Sequence, residues 1–387
     1  MKRLDAIAAA KRWIIRSGIQ IQAPRSAANG AFNAWYDAEE RRFRYAYPEI
    51  TGYGITALLY LNSLRADPVL IKKGCLAGDW VIRRALHPCG GIRPRDHYDR
   101  QERSLVFSFE RQLVVAFDSG MVLFGLMTLY DATRRRVYLN AARRIGDFLL
   151  KAQRGSGLFY ACYNPARKVW IDKPDKWSTQ SGSYHAKLAL GLLDLQRLTG
   201  QEKYRRGTLK ACRAMLMLQL PSGRFLSYRS DKSTHMHPHL YSAEGMLMAG
   251  LTLKRPDLMH SAARAVRWTL SEQLPDGGLP CLVGERGLRN LNQRSDVLAQ
   301  TLRLGALCYG LGLLPKSVLP SLAKLERKLR TYQVKTSLQK GGFRYGQELN
   351  GECREHVNFW CTAFALQALA MHEEVRSGRT PDHDFFI

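Results

Sequence analysis

Five carboxylate residues of this chain lie at or near the starts of long apolar segments, and they are Glu49, Asp118, Glu244, Asp296 and Glu355. Cleavage of a glycosidic bond needs a protonated acid on one side of the bond and a carboxylate on the other. If several of these carboxylates meet in one site, their mutual repulsion raises at least one pKa and so produces a general acid. The competing explanation is helix capping, because Asp118 and Asp296 are residue types that helix N-termini favour.

A second set of residues is typical of proton transfer at carbon. Tyr184 and His185 are adjacent, and His237, Tyr241 and His356 follow further along the chain. β-Elimination or C5 epimerisation of a uronate needs a base that removes the C5 proton and a cation that stabilises the carboxylate dianion. In this alternative Tyr184, His185 or His237 is the base. For each histidine, a purely structural role is the competing explanation.

The run His-Met-His-Pro-His at residues 235–239 invites a metal-binding interpretation, which Cys281 or Cys353 would have to complete. Alternate side chains point the same way only in an extended strand, and a helix is expected to begin near Pro238. The eight cysteines are scattered and form no Cys-x-x-Cys pair. We therefore predict no metal site and no cofactor.

Aromatic residues and arginines occur in or next to the segments expected to form loops. The aromatic residues are Trp35, Tyr36, Tyr45, Tyr53, Trp170, Trp177 and Trp360. The arginines are Arg93, Arg95, Arg229 and Arg344. Flat rings stack on sugar faces, and guanidinium groups pair with carboxylates in bidentate geometry. Loop packing is the alternative for each tryptophan, and nucleic acid is not expected because no nucleic-acid-binding module is present.

Six segments would position these residues, because each begins with a polar cluster and continues as a nearly uninterrupted apolar run, at roughly 55- to 70-residue intervals. The polar openings span residues 47–53, 117–120, 183–187, 237–245, 294–300 and 355–360. A helix that is apolar all round must be buried. Six such helices fit the inner ring of a toroid, with their polar first turns meeting at one mouth.

Six amphipathic segments alternate with these inner helices and are typical of outer helices. They span residues 2–17, 68–85, 137–153, 202–220, 256–274 and 319–334. Glycine-rich turns and β-prone residues follow most of them, which predicts short hairpins. We predict an all-α (α/α)6 toroid with short β-hairpin loops at one mouth. It forms a single domain over residues 1–387, with the first outer helix in 1–20 and a C-terminal tail in 375–387.

The charge of the chain is strongly positive. Lysine and arginine total 59 against 33 aspartates and glutamates, a formal net charge of +26. Such a field attracts polyanions. We predict an anionic polysaccharide or oligosaccharide as partner, with peripheral contact to an anionic membrane or a biosynthetic complex as a further option. No run of 18 apolar residues and no signal peptide is present, which predicts a cytoplasmic protein without a membrane span.

The six-fold plan resembles (α/α)6-toroid carbohydrate enzymes, among them unsaturated glucuronyl hydrolases and N-acylglucosamine 2-epimerases. Residues 47–53, Tyr-Pro-Glu-Ile-Thr-Gly-Tyr, resemble a motif of toroid proteins from bacterial exopolysaccharide and capsule gene clusters, and residues 117–120, 237–245 and 296–300 resemble later motifs of that group. The resemblance implies an acidic-sugar substrate. The catalytic histidine pair of the epimerases has no clear counterpart, and of the two aspartates typical of glucuronyl hydrolases only Asp118 has a convincing one.

We therefore predict a carbohydrate-active enzyme of bacterial polysaccharide metabolism or biosynthesis, a glycoside hydrolase that acts on a uronate-containing polysaccharide. Asp118 and Glu49 form an inverting pair, with Glu355 as the reserve partner. The residues expected to line the subsites are Tyr53, Tyr184, His185, His237, Tyr241, Glu244, Asp296, Asn358, Trp360 and Arg344. A lyase or epimerase on the same fold, and a non-catalytic polysaccharide-binding or assembly protein, remain open as alternatives.

Overall fold

The computed structural model describes residues 3–95, 112–174, 176–228 and 230–387, with side chains from residue 6 onward. Within these residues the chain is mainly helical. The α-helices are α1 (Arg3–Arg16), α2 (Pro48–Leu64), α3 (Pro68–Trp80), α4 (Ala116–Thr133), α5 (Arg136–Ala152), α6 (Ala189–Thr199), α7 (Glu202–Leu216), α8 (Met236–Leu253), α9 (Pro256–Ser271), α10 (Ser295–Gly310), α11 (Leu319–Thr331) and α12 (Phe359–Arg376).

The chain forms two compact units. Unit 1 consists of Met1–Ser17, Trp35–Arg42 and Met215–Asp384, and it contains α1 and α8 to α12. Unit 2 consists of Gly18–Ala34, Phe43–Ala214 and Phe385–Ile387, and it contains α2 to α6 and most of α7.

In unit 2, apolar helices alternate with amphipathic ones. Helices α2 and α4 are buried around nearly their whole circumference, as the sequence predicted for inner helices. A third inner segment starts as the 3₁₀ turn Ser183–Leu188 and continues as α6. Helix α5 is amphipathic, since Tyr138, Ala142, Ile145 and Leu149 are buried at steps of three or four residues. Its exposed face marks it as an outer helix.

Unit 1 repeats this alternation. Helices α8, α10 and α12 are buried for most of their length, and α10 packs against both of the others. Helices α9 and α11 bury one face only, and α1 packs against α12. Although the inner helices are apolar, no helix in the described part of the chain is both long and apolar enough to cross a lipid bilayer.

Six similar turns in the described part of the chain set the approach of neighbouring outer helices. Gly157 adopts φ +95°, and a Cβ there would lie 2.5 Å from the carbonyl oxygen of Lys210 in the next outer helix. Gln153 reinforces the turn, because its side-chain amide donates to the carbonyls of Gly157 and Gly207 at 3.0 and 2.9 Å. The same glycine geometry recurs at Gly30, Gly90, Gly223, Gly277 and Gly341. Only glycine fits such a close, left-handed position.

Short strands lead into several inner helices. They are β1 (Trp35–Asp37), β2 (Arg42–Phe43), β3 (Val114–Val115), β4 (Cys162–Asn164), β5 (Val169–Ile171), β6 (Thr234–His235), β7 (Leu282–Val283), β8 (Arg289–Asn290), β9 (Phe343–Gln347) and β10 (Cys353–Asn358). Unit 2 has the antiparallel sheet β3-β4-β5, and unit 1 has β6-β7-β8 and β1-β10-β9. Because β3, β6 and β10 run directly into α4, α8 and α12, the sheets fix the polar first turns of those helices.

The structure differs from the sequence expectation at residues 355–360. Glu355 lies inside β10, and α12 begins only at Phe359. The physical reason is strand pairing, since β10 lies between β1 and β9 and its backbone groups are taken up by that sheet. Asn358 therefore occupies the N-cap of α12, where its side chain accepts a bond from the backbone N–H of Cys361.

Candidate active site

The first turns of α2 and α4 place two carboxylates in one polar cluster of unit 2. Glu49 is the second residue of α2, and Asp118 is the third residue of α4. Glycines allow these two helices to approach closely. A Cβ on Gly52 would lie 2.8 Å from the carbonyl oxygen of Met121, and a Cβ on Gly125 would lie 2.8 Å from the carbonyl oxygen of Gly52. Larger residues would force the helices apart and separate the two carboxylates.

The surroundings of this pair favour the protonated form of both groups. Asp118 is 1% exposed, and burial raises its pKa well above the ordinary value, with the charge of Glu49 raising it further. Burial raises the pKa of the half-buried Glu49 from 4.5 to about 7, although a hydrogen bond from Tyr47 and the positive charge of Lys187 act to lower it. At neutral pH the pair therefore retains at least one proton.

Asp118 does not cap its helix. The N-cap position of α4 belongs to Val115, which has no side-chain capping bond. The Oδ2 atom of Asp118 is buried and has no hydrogen-bond partner among the described residues. A buried carboxyl oxygen without a partner is costly unless the group is protonated or a ligand meets it. Asp118 therefore has the environment of a general acid rather than that of a cap.

Lys187 and two tyrosines complete this cluster. Lys187 belongs to the 3₁₀ turn Ser183–Leu188, is fully buried, and places its Nζ 4.7 Å from the ring centre of Tyr53. Tyr184 is 2% exposed, and its hydroxyl donates to the carbonyl of Gln180 at 3.1 Å. We call Glu49, Asp118, Tyr47, Tyr53, Tyr184 and Lys187 the acidic-pair cluster.

His185 lies beside this cluster in a nonpolar environment. Its ring is 0% exposed, with ring centres of Tyr184 and Phe159 at 4.0 and 5.8 Å. Burial lowers the pKa of His185 from 6.5 to about 3. The imidazole is neutral at physiological pH and a weak base, which fits packing better than proton transfer.

A second polar cluster lies in unit 1, at the first turn of α10. The Oδ1 and Oδ2 atoms of Asp296 accept hydrogen bonds from Nε and Nη2 of Arg294 at 3.0 and 2.5 Å. Burial alone would raise the pKa of Asp296, but Arg294 and His237, together with hydrogen bonds from Arg294 and Trp360, outweigh it and hold the pKa below its ordinary value. Asp296 is therefore a fixed anion.

Two other inner helices supply partners to Asp296. Trp360 in α12 donates from Nε1 to Oδ2 of Asp296 at 3.0 Å. His237 in α8 places Nδ1 at 3.3 Å from the same oxygen and at 2.8 Å from Oε1 of Gln300. The ring of Tyr241 lies 4.4 Å from that of His237. We call Arg294, Asp296, Gln300, His237, Tyr241 and Trp360 the ion-pair cluster.

Aromatic rings surround this second cluster. The guanidinium carbon of Arg294 lies 4.6 Å from the ring centre of Tyr345, within range of a cation–π interaction. His356 lies between Tyr345 and Trp35, with ring centres at 5.3 and 4.8 Å. Trp35 is 3% exposed, so packing rather than an open stacking surface describes it here.

Glu244 has a structural environment. It is fully buried, and its Oε2 accepts a 2.7 Å hydrogen bond from Nη2 of Arg303, which is fully buried as well. Nη1 of Arg303 donates to Oε1 of Gln367 at 3.0 Å. The ion pair therefore links α8, α10 and α12, which are the three inner helices of unit 1.

Glu355 and Arg344 lie together on the β9–β10 hairpin. Nε of Arg344 is 2.8 Å from Oε2 of Glu355, and the two side chains are 41% and 58% exposed. Among the described residues of unit 1, Glu355 contacts Arg344 and Cys353 and not the ion-pair cluster. Arg229, another sequence candidate, lies outside the described residues.

The histidine run at 235–239 is divided by the start of α8. His235 is the N-cap of α8, and its ring accepts a bond from the backbone N–H of His237. His239 accepts from the backbone N–H of Phe225 at 3.1 Å and contacts Oγ1 of Thr269 with its other ring nitrogen. Among the residues that the structure describes, no three histidine, cysteine, aspartate or glutamate side chains are grouped to hold a metal ion.

Four residues of the two clusters received no role from the sequence, namely Tyr47, Lys187, Arg294 and Gln300. All four belong to the polar openings of inner segments. That location was the available signal, but their roles depend on which carboxylate each one meets. This information comes from contacts between helices far apart in the chain.

Comparisons with known proteins extend these observations. No protein-family model and no curated protein matches the chain. Among solved structures, a cellobiose 2-epimerase from Bacillus thermoamylovorans matches with a TM-score of 0.75 and 10% identity, over 95% of this chain and 99% of that one. An unsaturated glucuronyl hydrolase from Bacillus sp. GL1, responsible for glycosaminoglycan degradation, matches with a TM-score of 0.67 and 16% identity, over 98% of both chains.

A D-mannose isomerase matches as well, with a TM-score of 0.75 and 10% identity, over 96% of this chain and 97% of that one. At such identities the likeness concerns the fold. The fold class predicted from the sequence is thereby confirmed, and the chain has the (α/α)6-toroid fold that these epimerases, isomerases and glucuronyl hydrolases share.

Proposed function

We propose that this protein is a carbohydrate-active enzyme, specifically a glycoside hydrolase, in which Asp118 and Glu49 form the acid–base pair. One observation carries the proposal. The two carboxyl groups lie at the first turns of neighbouring inner helices, burial raises both pKa values, and the charge of Glu49 raises that of Asp118 further. Such perturbed pairs are typical of catalytic acids and bases.

The two groups have different parts in the proposed reaction. Asp118, which is more deeply buried, stays protonated near pH 7 and donates its proton to the glycosidic oxygen as that oxygen leaves the anomeric carbon. Glu49, with a pKa of about 7, accepts a proton from the attacking water. Lys187 stabilises the ionised form of Glu49, and water adds across the broken bond.

An anionic substrate is the second part of the proposal. The net charge of +26 favours the approach of uronate-containing chains. Two solved structures of the same fold are described as unsaturated glucuronyl hydrolases, one responsible for glycosaminoglycan degradation and one specific for heparin. These likenesses support a uronate-containing oligosaccharide or polysaccharide.

A sugar epimerase or isomerase is the second candidate. His237 favours it, because contact of its Nδ1 with Oε1 of Gln300 and Oδ2 of Asp296 fixes the proton on Nδ1 and leaves the lone pair on Nε2. A histidine held in this way serves as a base toward a carbon-bound proton. The likeness to cellobiose 2-epimerase and to D-mannose isomerase supports the same alternative.

The test is mass spectrometry of uronate-containing oligosaccharides incubated with the protein in heavy water. Hydrolysis gives fragments that carry one added water. Unsaturated fragments without added water indicate a lyase, and intact chains that gain deuterium indicate an epimerase. The variants Asp118→Asn and Glu49→Gln should lose fragment formation, whereas Glu355→Gln, an exposed carboxylate on a hairpin, should retain it. Full activity of the first two variants would overturn the assignment of the pair.

The anomeric outcome is a separate measurement. Proton NMR of the first-formed product distinguishes inversion from retention. We expect inversion, in which Glu49 activates water on the face opposite Asp118. Retention would make Glu49 a nucleophile instead and predicts a covalent intermediate on that residue.

A further inference from the structure

The outer surface of α5 and α7 carries a cluster of positive charge. Seven exposed cations there have no carboxylate partner among the described residues, and they are Arg136, Arg143, Arg144, Lys151, Arg206, Lys210 and Arg213. We call these seven residues the α5–α7 cationic face.

The two helices lie side by side within unit 2. A Cβ on Gly146 of α5 would lie 3.0 Å from Cε1 of Tyr204 in α7, and one on Gly207 of α7 would lie 2.4 Å from Cδ2 of Leu150. The amide of Gln153 also donates to the carbonyl of Gly207. Glycine allows this close approach, and the cations of the two helices consequently share one surface.

The spacing of the cations follows the helix period. Arg136, Arg143 or Arg144, and Lys151 recur every seven or eight residues along α5, about 11 Å apart at 1.5 Å per residue. In α7, Arg206, Lys210 and Arg213 are related by steps of four and three residues. Both patterns align side chains along one helix face. The charges therefore form two stripes that an extended polymer can follow.

The acids of these helices do not neutralise the stripes. Asp147 binds Nζ of Lys203 at 2.6 Å and the hydroxyl of Tyr204 at 2.9 Å. Glu202 lies 3.8 Å from Arg205. Both acids are therefore matched with cations that are not members of the cationic face.

The chemistry of this surface indicates which polyanion fits. Tyr138, Phe148 and Tyr204 are buried, so α5 and α7 present no exposed ring on which nucleic-acid bases stack. Val137 is the one large apolar side chain of either helix that is exposed, which leaves little to insert into a lipid surface. Five of the seven cations are arginines, whose planar guanidinium groups pair with carboxylates and sulfates.

We propose that the α5–α7 cationic face binds an anionic polysaccharide chain and so holds a polymer on the enzyme. The inference rests on the substrate class proposed above. It places part of the polymer on residues that have no role in the acidic-pair cluster, and it concerns binding rather than turnover. Retention of a polymer in this way raises the local concentration of cleavable bonds.

The test compares two variants with the same change of charge. The first is Arg143→Gln, Arg144→Gln, Arg206→Gln and Lys210→Gln, within the cationic face. The matched control is Arg267→Gln, Lys316→Gln, Lys324→Gln and Arg327→Gln, which removes four exposed cations of unit 1 that make no ion pair with described residues. Binding of heparin and of polygalacturonate is measured by calorimetry at several salt concentrations.

We expect the first variant to bind either polymer about tenfold more weakly than the wild type. The salt dependence of its binding should also be flatter, because fewer counterions are released. The control should stay within about twofold of the wild type. Equal losses in both variants would mean that net charge acts without a specific surface, and would overturn the proposal. Preferential binding of phosphatidylserine vesicles or of single-stranded DNA through this face would overturn it as well.

Failure of this proposal and failure of the proposed activity are distinguishable. Glu49→Gln should lose turnover yet bind both polymers like the wild type. The first variant should hydrolyse a short oligosaccharide at the wild-type rate while losing affinity for polymers. If neither the wild type nor any variant shows turnover but polymer binding still depends on the cationic face, the proposed activity fails and the binding proposal stands.

Discussion

The acidic-pair cluster and the ion-pair cluster are built on the same kind of element, the first turn of an inner helix, but their aspartates hold different charge states. In each, a buried aspartate lies in the first turn of an inner helix, Asp118 in α4 and Asp296 in α10. The pKa of Asp118 is raised by burial and by the neighbouring Glu49, whereas Arg294 and His237 overcome burial and hold the pKa of Asp296 low. The neighbouring charged groups, and not the position in the helix, therefore decide whether the aspartate is protonated.

In the proposed mechanism, this difference separates the group that transfers a proton from the group that stabilises the fold. A protonated carboxyl with an unmatched oxygen, as in Asp118, can give up a proton in a reaction. A carboxylate that holds hydrogen bonds from arginine, tryptophan and its own helix backbone, as in Asp296, is stabilised as an anion and transfers no proton readily. Each of the following changes tests one side of this contrast.

The largest effect is expected for Asp118→Asn. The amide keeps the shape of the side chain but cannot donate a proton to a leaving group. We expect kcat to fall by about 10²- to 10⁴-fold, the usual contribution of general acid catalysis. Thermal unfolding should show that the fold persists, because Asp118 already behaves as a neutral group. A variant with wild-type kcat would remove Asp118 from the mechanism.

Asp296→Asn should act on stability instead. It leaves the buried guanidinium of Arg294 without its counter-charge, and breaking a buried ion pair in this way costs about 3–5 kcal/mol. Urea unfolding measures the loss. The matched control is Glu355→Gln, which breaks an exposed pair and should cost about 1 kcal/mol or less. A loss of unfolding free energy as small as that of the control would show that buried Arg294 does not need the negative charge of Asp296 for its stability.

Glu49→Gln should change how stability depends on pH. The folded pKa of Glu49 is about 7 against an ordinary 4.5, so the folded state binds this proton more tightly than the unfolded state does. The contribution of protonated Glu49 to the free energy of unfolding is therefore fully present below about pH 4.5 and is lost as the pH rises through 7. The variant should come close to the wild type at pH 4.5 and exceed its free energy of unfolding by about 3 kcal/mol at pH 8. An advantage that grows toward low pH would contradict the raised pKa.

The smallest effect is expected for Lys187→Met. It is measured as a shift in the pH profile of kcat/KM. Lys187 lowers the pKa of Glu49, so its removal should raise that pKa further and move the acidic limb of the profile to higher pH. Lys187→Arg retains the charge and should keep the limb near its wild-type position. A profile unchanged in both variants would mean that Glu49 is not the group that titrates.

Several features of the site were accessible from the sequence. Glu49, Asp118, Asp296 and His237 were identified because they belong to the polar clusters that open apolar runs at regular intervals. Glu355 was taken for a helix start because its neighbours are polar and an apolar run follows. The strand that contains it could not be foreseen, since β10 depends on pairing with β1 and β9 from other parts of the chain.

The sequence by itself determined the alternation of inner and outer helices, the glycine turns between them and the polar character of the inner-helix starts. These follow from helical periodicity and local conformational preference, which act over a few residues. Only the tertiary structure decided which inner-helix start contributes to the pair of carboxyl groups and which contributes to an ion pair. That outcome depends on burial and on charges brought together from distant segments, such as Glu49 beside Asp118 and Arg303 beside Glu244, because electrostatic interactions follow distance in space and not distance along the chain.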